Sequence, residues 1–262
     1  MRRRGSLFWG SVLILLALLL LLKQMGMIAG DIFGYFWPIL VIAFGIWFIV
    51  GYFTRSHPVA REQVSIPLEG AVSAAIRLDH AAGKLTLCSG AGPNEIVNGL
   101  VSDGLSIKSL VEAGRMDVRL RPSQQAWGWW PGDSLDWDIH LNREIPLSLK
   151  IDSGANTSIL DLSDLKITDL DIDTGASSTV LTLPASAGNT RADIDTGASS
   201  LKINIPAGVA AKIQVKSGIA SVTVDARFPR ITSGLYQSSD YGTAVNKVDL
   251  TINAGVGSIE II

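Results

Sequence analysis

From residue 149 to the end of the chain, apolar residues recur at every second position on either side of a small-residue phrase. The phrase reads Ile151-Asp152-Ser153-Gly154-Ala155, Ile172-Asp173-Thr174-Gly175-Ala176 and Ile194-Asp195-Thr196-Gly197-Ala198. Weaker copies stand at Val215-Lys216-Ser217-Gly218-Ile219 and Ile252-Asn253-Ala254-Gly255-Val256. Six residues after each glycine comes Leu160, Leu181, Ile203, Val224 or Ile261, with polar residues such as Asp161, Thr182, Lys202, Thr223 and Glu260 beside them. Period two in β-branched and aliphatic residues predicts two half-buried strand segments per unit, with the glycine where the chain bends. Pro184 and Pro206 close the second segment in two units, because proline cannot donate to a ladder. The first four glycines lie 21, 22 and 21 residues apart and the last follows 37 later. A repeat of that length marks a stacked array in which each unit buries its apolar face against its neighbours. An antiparallel meander or a β-helix would satisfy the pattern. The second is favoured, a single-stranded β-solenoid with coils of 21–22 residues, because every unit carries the phrase in the same direction.

Upstream the alternation is shorter but still β. Val64, Ile66 and Leu68, then Ile76 and Leu78, then Leu85 and Leu87 alternate with polar residues, and 95–121 continues as short strands that cap or open the array. The turn at Ser89-Gly90-Ala91-Gly92-Pro93-Asn94 lacks the Gly-Lys-Ser/Thr and the helix of a phosphate loop. Residues 63–262 are thus expected to be one β domain, joined through a linker at 56–62 around Pro58 to whatever precedes it.

What precedes it has another pattern. Leu7 to Leu22 is apolar up to Lys23, and Ile32 to Phe53 contains no charged residue. A bilayer core needs about 20 apolar residues of helix, so residues 1–55 are expected to form a transmembrane hairpin with spans at about 7–28 and 34–53. Aromatic residues (Phe8, Trp9, Tyr35, Phe36, Trp37, Tyr52) stand at the span ends, as in interfacial belts. A cleaved signal peptide is the competing reading, weakened by the lack of a small-x-small site after Lys23 and by the second span. Arg2, Arg3 and Arg4 before the hairpin and Arg55 and Arg61 after it, against Lys23 between the spans, put both termini in the cytoplasm by the positive-inside rule. The expected location is therefore the bacterial cytoplasmic membrane, multi-pass, with lipid as one partner.

Composition adds little to this and removes several function classes. Hydrophobic residues make up 47% and charged residues 18%, an excess carried by the N-terminal spans. With 22 basic against 24 acidic residues there is no general attraction to nucleic acid. Cys88, the single cysteine, rules out an internal disulfide framework and reads as a strand residue. Asp173-Thr174-Gly175 and Asp195-Thr196-Gly197 imitate the paired aspartates of an acid protease, but such a pair needs one carboxylate from each of two lobes. Twenty-two residues apart in a repeat, they read instead as neighbours on adjacent strands, about 4.8 Å apart, repelling by about 1 kcal/mol in water. The Asp152, Asp173 and Asp195 ladder is then a solvated face, with a weak cation site as the alternative. His57, His80 and His140 have no nucleophile or carboxylate at a motif spacing. No catalytic residue, cofactor or metal ligand set is assigned, and the expectation is a non-enzyme. The segment 123–140, a loop by composition with Trp127, Trp129, Trp130 and Trp137 among Gly128, Pro131 and Gly132, reads as a cap on the stack or as a partner-docking patch.

The pattern Leu18-Leu19-Leu20-Leu21-Leu22, Phe36-Trp37-Pro38-Ile39-Leu40 and Gly45-Ile46-Trp47 resembles the transmembrane region shared by LiaI- and LiaF-like bacterial proteins. The run Trp137-Asp138-Ile139, Ile145-Pro146-Leu147, Ile151-Asp152-Ser153-Gly154-Ala155 and Leu160-Asp161-Leu162 is similar to the C-terminal domain of LiaF-type proteins, of the toastrack and adhesin-like group. The resemblance implies a membrane-anchored accessory protein of cell-envelope stress signalling, a class in which LiaF-type members restrain a sensor histidine kinase. A sensor kinase or a family paralogue is the partner so implied. An outward-facing adhesin or a polymer that grows from an open C-terminal strand, Ser258 to Ile262, is the alternative.

Overall fold

The computed structural model describes residue 41, residue 45 and residues 61–102, 104–123 and 135–262. Among them no helix is long and apolar enough to cross a membrane. The spans expected at about 7–28 and 34–53 lie, apart from Val41 and Gly45, outside the described residues, as do Trp127, Trp129 and Trp130.

Among the described residues, 61–262 fold as one mixed sheet of thirteen strands. They are β1 (Arg61–Pro67), β2 (Ser73–Ser89), β3 (Glu95–Ser102), β4 (Leu105–Glu112), β5 (Arg115–Pro122), β6 (Trp137–Leu141) and β7 (Pro146–Asp161). Then follow β8 (Lys166–Thr182), β9 (Asn189–Asn204), β10 (Ala210–Val224), β11 (Arg230–Thr232), β12 (Leu235–Gln237) and β13 (Lys247–Ile261). Six long strands carry the fold, running parallel in the order β2-β7-β8-β9-β13-β10.

Each long strand has two arms that meet at the phrase found in the sequence. In β7 the buried residues are Leu147, Leu149 and Ile151 before Gly154 but Asn156, Ser158 and Leu160 after it, so the inward phase changes at the glycine. The pairing registers step over Gly154, Gly175, Gly197, Gly218 and Gly255 while holding the residues on both sides. Both arms feed one core that runs from Val64 to Ile261. Inside the corner small polar side chains replace the aliphatics, and part of them bond one another: Thr174 Oγ1 bonds Thr196 Oγ1 at 3.2 Å and Ser177 Oγ at 3.0 Å, while Ser153 Oγ and Ser199 Oγ are buried without a partner among the described residues.

The stack is not strictly serial, which corrects the coil-by-coil expectation. β13 lies between β9 and β10, in register with both. The long gap between the last two glycines holds the excursion that makes this possible. After β10 the chain forms the β11–β12 hairpin against the first arm of β10, then returns. The order follows burial. β13 puts Val248, Leu250, Ile252, Ile259 and Ile261 wholly inside and needs a strand on each side, whereas Val222 and Val224 of β10 are only half-buried and suit an end. The C-terminal strand is therefore interior and cannot be the open end from which a polymer grows.

The other end is capped on both arms. The first arm of β2 pairs with β5, which carries β4. Its second arm pairs with β6, and β3 and β1 continue outward. The end of the tryptophan-rich segment, residues 137–140, is thus part of strand β6.

Candidate functional site

Five glycines form a column at the corner, each needed for closeness rather than for φ. A methyl group on Gly175 would lie 3.0 Å from the Gly154 carbonyl oxygen, and one on Gly197 2.6 Å from that of Gly175. One on Gly218 would come within 2.8 Å of the Gly255 carbonyl oxygen, and one on Gly255 would overlap the Gly197 carbonyl. At β2 the column ends in Ala81, opposite Gly154, because β5 covers only Ser73–Leu78 and β6 only Leu85–Ser89. Among the described residues no strand presses on the corner from that side. Leu78-Asp79-His80-Ala81-Ala82 is thus a sixth copy of the phrase, hidden in the sequence by the missing glycine.

Beside the column the ladder pairs Asp79, Asp152, Asp173, Asp195, Asn253 and Lys216 in a row. The two protease-like phrases are direct neighbours, Asp173 opposite Asp195, both on the exposed face. They line one open trough of about 490 Å³ with Lys216, Asn253 and the glycine backbones. Asp195 accepts a 2.6 Å hydrogen bond from Asn253, and Asp173 has no ion-pair partner among the described residues. Among the described residues no three His, Cys, Asp or Glu side chains gather as a metal would require.

The ladder changes character at β2. Arg119 donates to Asp79 through Nε at 2.8 Å and Nη2 at 2.6 Å, and Arg77 Nε does so at 2.9 Å. Arg77 also pairs with Asp152, while Lys150 Nζ sits 2.6 Å from Asp171 and 3.7 Å from Asp152. Burial pushes the Asp79 carboxyl up, but the hydrogen bonds from Arg119 and Arg77 outweigh it and hold the group below the usual carboxylate range. No spacing in the sequence announces this cluster, since its members come from four strands.

The residues singled out in the sequence fall in different places. Trp137 is 1% exposed and packs edge-on against His80, with ring centroids 5.1 Å apart. Buried in this way it presents no face to a partner, and the other three tryptophans of the segment lie outside the described residues. His80 is equally buried, its Nε2 donating to the Leu135 carbonyl at 2.7 Å. Burial pushes the imidazole below its usual range, against the opposite pull of that hydrogen bond and of Asp136. A lowered histidine pKa means the unfolded chain binds the extra proton first. Stability should hold above about pH 6.5 and fall on acidification toward the folded-state value, by up to about 1.4 kcal/mol per pH unit. Unfolding of the full chain in detergent should show this acid limb, and His80→Gln should flatten it.

Cys88 lies beside His140, Sγ to Nδ1 3.4 Å, and His140 Nε2 is 3.6 Å from Asp138. The trio resembles a thiol triad, yet burial, with Asp138 and Asp161 adding to it, pushes the Cys88 thiol up. A protonated thiol is a poor nucleophile. His57 lies outside the described residues.

One further feature faces solvent. Among the described residues, 216–224 of β10 have no partner on their outer side, because β12 covers only Lys212–Gln214. Ile219 there is 80% exposed, next to Val256 on β13.

Residues 7–49 match the LiaI-LiaF-like transmembrane region, which makes this a membrane protein, and residues 55–204 match the N-terminal domain of toast_rack, DUF2154. No curated protein matches the chain. Among solved structures, a candidate cell adhesion protein from Clostridium sporogenes is 22% identical, with a TM-score of 0.70 over 78% of this chain and 98% of its own. That is a likeness of fold. A candidate adhesin from Bacteroides fragilis, 10% identical, spans 79% of this chain and 98% of its own with a TM-score of 0.30, too low to support an argument. With more than half of its length inside the match, and the LiaI-LiaF-like region ahead of it, the chain belongs to the family of the toast_rack N-terminal domain.

Proposed function

We propose that this is a membrane-anchored, non-catalytic regulatory or scaffolding protein of the bacterial cell-envelope stress response. Its two N-terminal spans leave both termini in the cytoplasm, and the solenoid-like stack offers its surface to a membrane protein such as a sensor kinase. The observation that carries the reading is the unpaired edge of β10. The segment Ile219-Ala220-Ser221-Val222-Thr223-Val224 has no charge, no proline and three β-branched aliphatics, so it lacks the devices that normally block strand addition. An edge of that kind takes a partner strand through main-chain hydrogen bonds. The adjacency of Asp173 and Asp195 on an open face supports the non-catalytic part.

The same edge would also pair with a second copy, and this keeps envelope assembly as the second reading. A photo-crosslinker at Ser221, used in intact cells, separates the two. A heteromeric adduct containing a histidine kinase, lost in a Ser221→Lys/Thr223→Lys variant, is the expected result. A ladder of homomeric adducts, with the domain digested by protease added outside the cell, would replace regulation by assembly.

A further inference from the structure

We propose that the β2 end of the stack docks on the anionic lipid headgroups of the membrane to which the chain is attached. A row of like charges crosses this end of the sheet. Lys108 stands opposite Arg119, Arg119 opposite Arg77, and Arg77 opposite Lys150, so four cations face one another across β4, β5, β2 and β7. Like charges directly opposite are unfavourable unless something answers them. Within the domain the answer is partial. Asp79 and Asp152 hold Arg77, Asp79 also holds Arg119, and Asp171 holds Lys150. Lys108 has no ion-pair partner among the described residues, and Arg121 reaches Asp79 only at 3.7 Å. Asp117, an acid on the same trough, is engaged by Arg115 at 3.8 Å.

These side chains line an open trough of about 870 Å³ on the outer face. Leu110, 62% exposed, lines it too. Val72, 70% exposed, lies against Gly114 at the tip of the β4–β5 hairpin. Cations beside exposed aliphatics are what a headgroup layer receives: phosphate oxygens accept from guanidinium and ammonium groups, and the aliphatics enter the acyl boundary. The tether fixes the occupant. Eleven residues, 50–60, separate the transmembrane region from β1, and extended they reach at most about 40 Å. The chain enters through β1, which joins the stack through β3 and β6 on β2, the strand that also carries β5 and β4. Entry strand and cation row therefore share one end of the stack, and the length of the tether bounds how far that end can lie from the lipid surface.

The proposal is independent of what the β10 edge binds. Its test uses the full chain in nanodiscs, with Cys88→Ser and Ser106→Cys to carry one fluorophore, and headgroup-level spin-labelled lipid as quencher. Discs of phosphatidylcholine with about one-third phosphatidylglycerol should quench the fluorophore, and 0.5 M salt, on the order of a 4 Å Debye length, should relieve it. Each surface cation contributes about a fivefold factor to docking on anionic lipid. Lys108→Gln/Arg121→Gln should therefore shift the docking equilibrium by about 25-fold, while Lys212→Gln on β10 leaves it unchanged. Equal quenching in pure phosphatidylcholine, no quenching in either disc, or no response to the double variant would overturn it.

Discussion

Replacing Gly257 by alanine should unfold the β domain more readily than any other single methyl addition to the stack. Gly257 holds φ +142, and a methyl group there would overlap the carbonyl of Ser199 on β9. Two costs combine. The left-handed backbone costs about 1–3 kcal/mol for an L side chain, and forcing backbone apart inside a packed stack costs about 1–3 kcal/mol more. A loss of about 4 kcal/mol corresponds to roughly 8–16 °C in Tm for a domain of this size. Two companions calibrate the result. Gly197→Ala meets the Gly175 carbonyl but needs no unusual φ, and should cost about half as much. Gly188→Ala has φ +79 but open space around it, and should cost only about 1–2 kcal/mol. Thermal unfolding of the three variants should rank them in that order. Equal losses would mean that the strands are not stacked carbonyl to glycine.

The same column explains what could be read from the chain and what could not. The close approach at Gly154, Gly175 and Gly197 admits no side chain, so selection for the stack leaves a glycine every 21–22 residues, visible to inspection. Where the pressure is absent the signal is absent, and Ala81 hid the first copy. Strand order lies beyond periodicity. β13 and β10 carry the same phrase, and only the difference in how far Ile259 and Ile261, or Val222 and Val224, are buried decides which is interior. The tryptophans posed a related problem. Trp137 alternates with Ile139 and Leu141 and so belonged to a strand, yet its neighbours Pro131 and Gly132 gave the segment the composition of a loop. The cation row was the least legible part, because Lys108, Arg119, Arg77 and Lys150 are brought together only by parallel and antiparallel pairings that no local pattern specifies.

That row makes Asp79 the charge on which the β2 end most depends. Asp79→Asn removes the anion that accepts from both Arg119 and Arg77 and turns an amide N–H₂ toward a guanidinium. Hydrogen bonds to charged groups are worth about 1.5–3 kcal/mol each. The Arg77 and Arg119 side chains are 42% and 38% exposed, so solvent screening discounts them. A net loss of about 3 kcal/mol is expected in unfolding of the full chain in detergent. Three features separate this from a packing defect. Raising the salt should narrow the gap between wild type and variant, because the repulsion left behind is screened. Adding Arg119→Gln should restore part of the loss, since it removes one of the stranded cations. The pH dependence has a fixed sign: a carboxyl held below its ordinary range stabilises the fold above the unfolded-state value near 3.8, and that contribution disappears as pH falls through the folded-state value. The wild-type advantage should therefore be full at neutral pH and shrink only in that acid window. An advantage that persists after Asp79 is protonated would mean that its shape, and not its charge, holds β2 against β5.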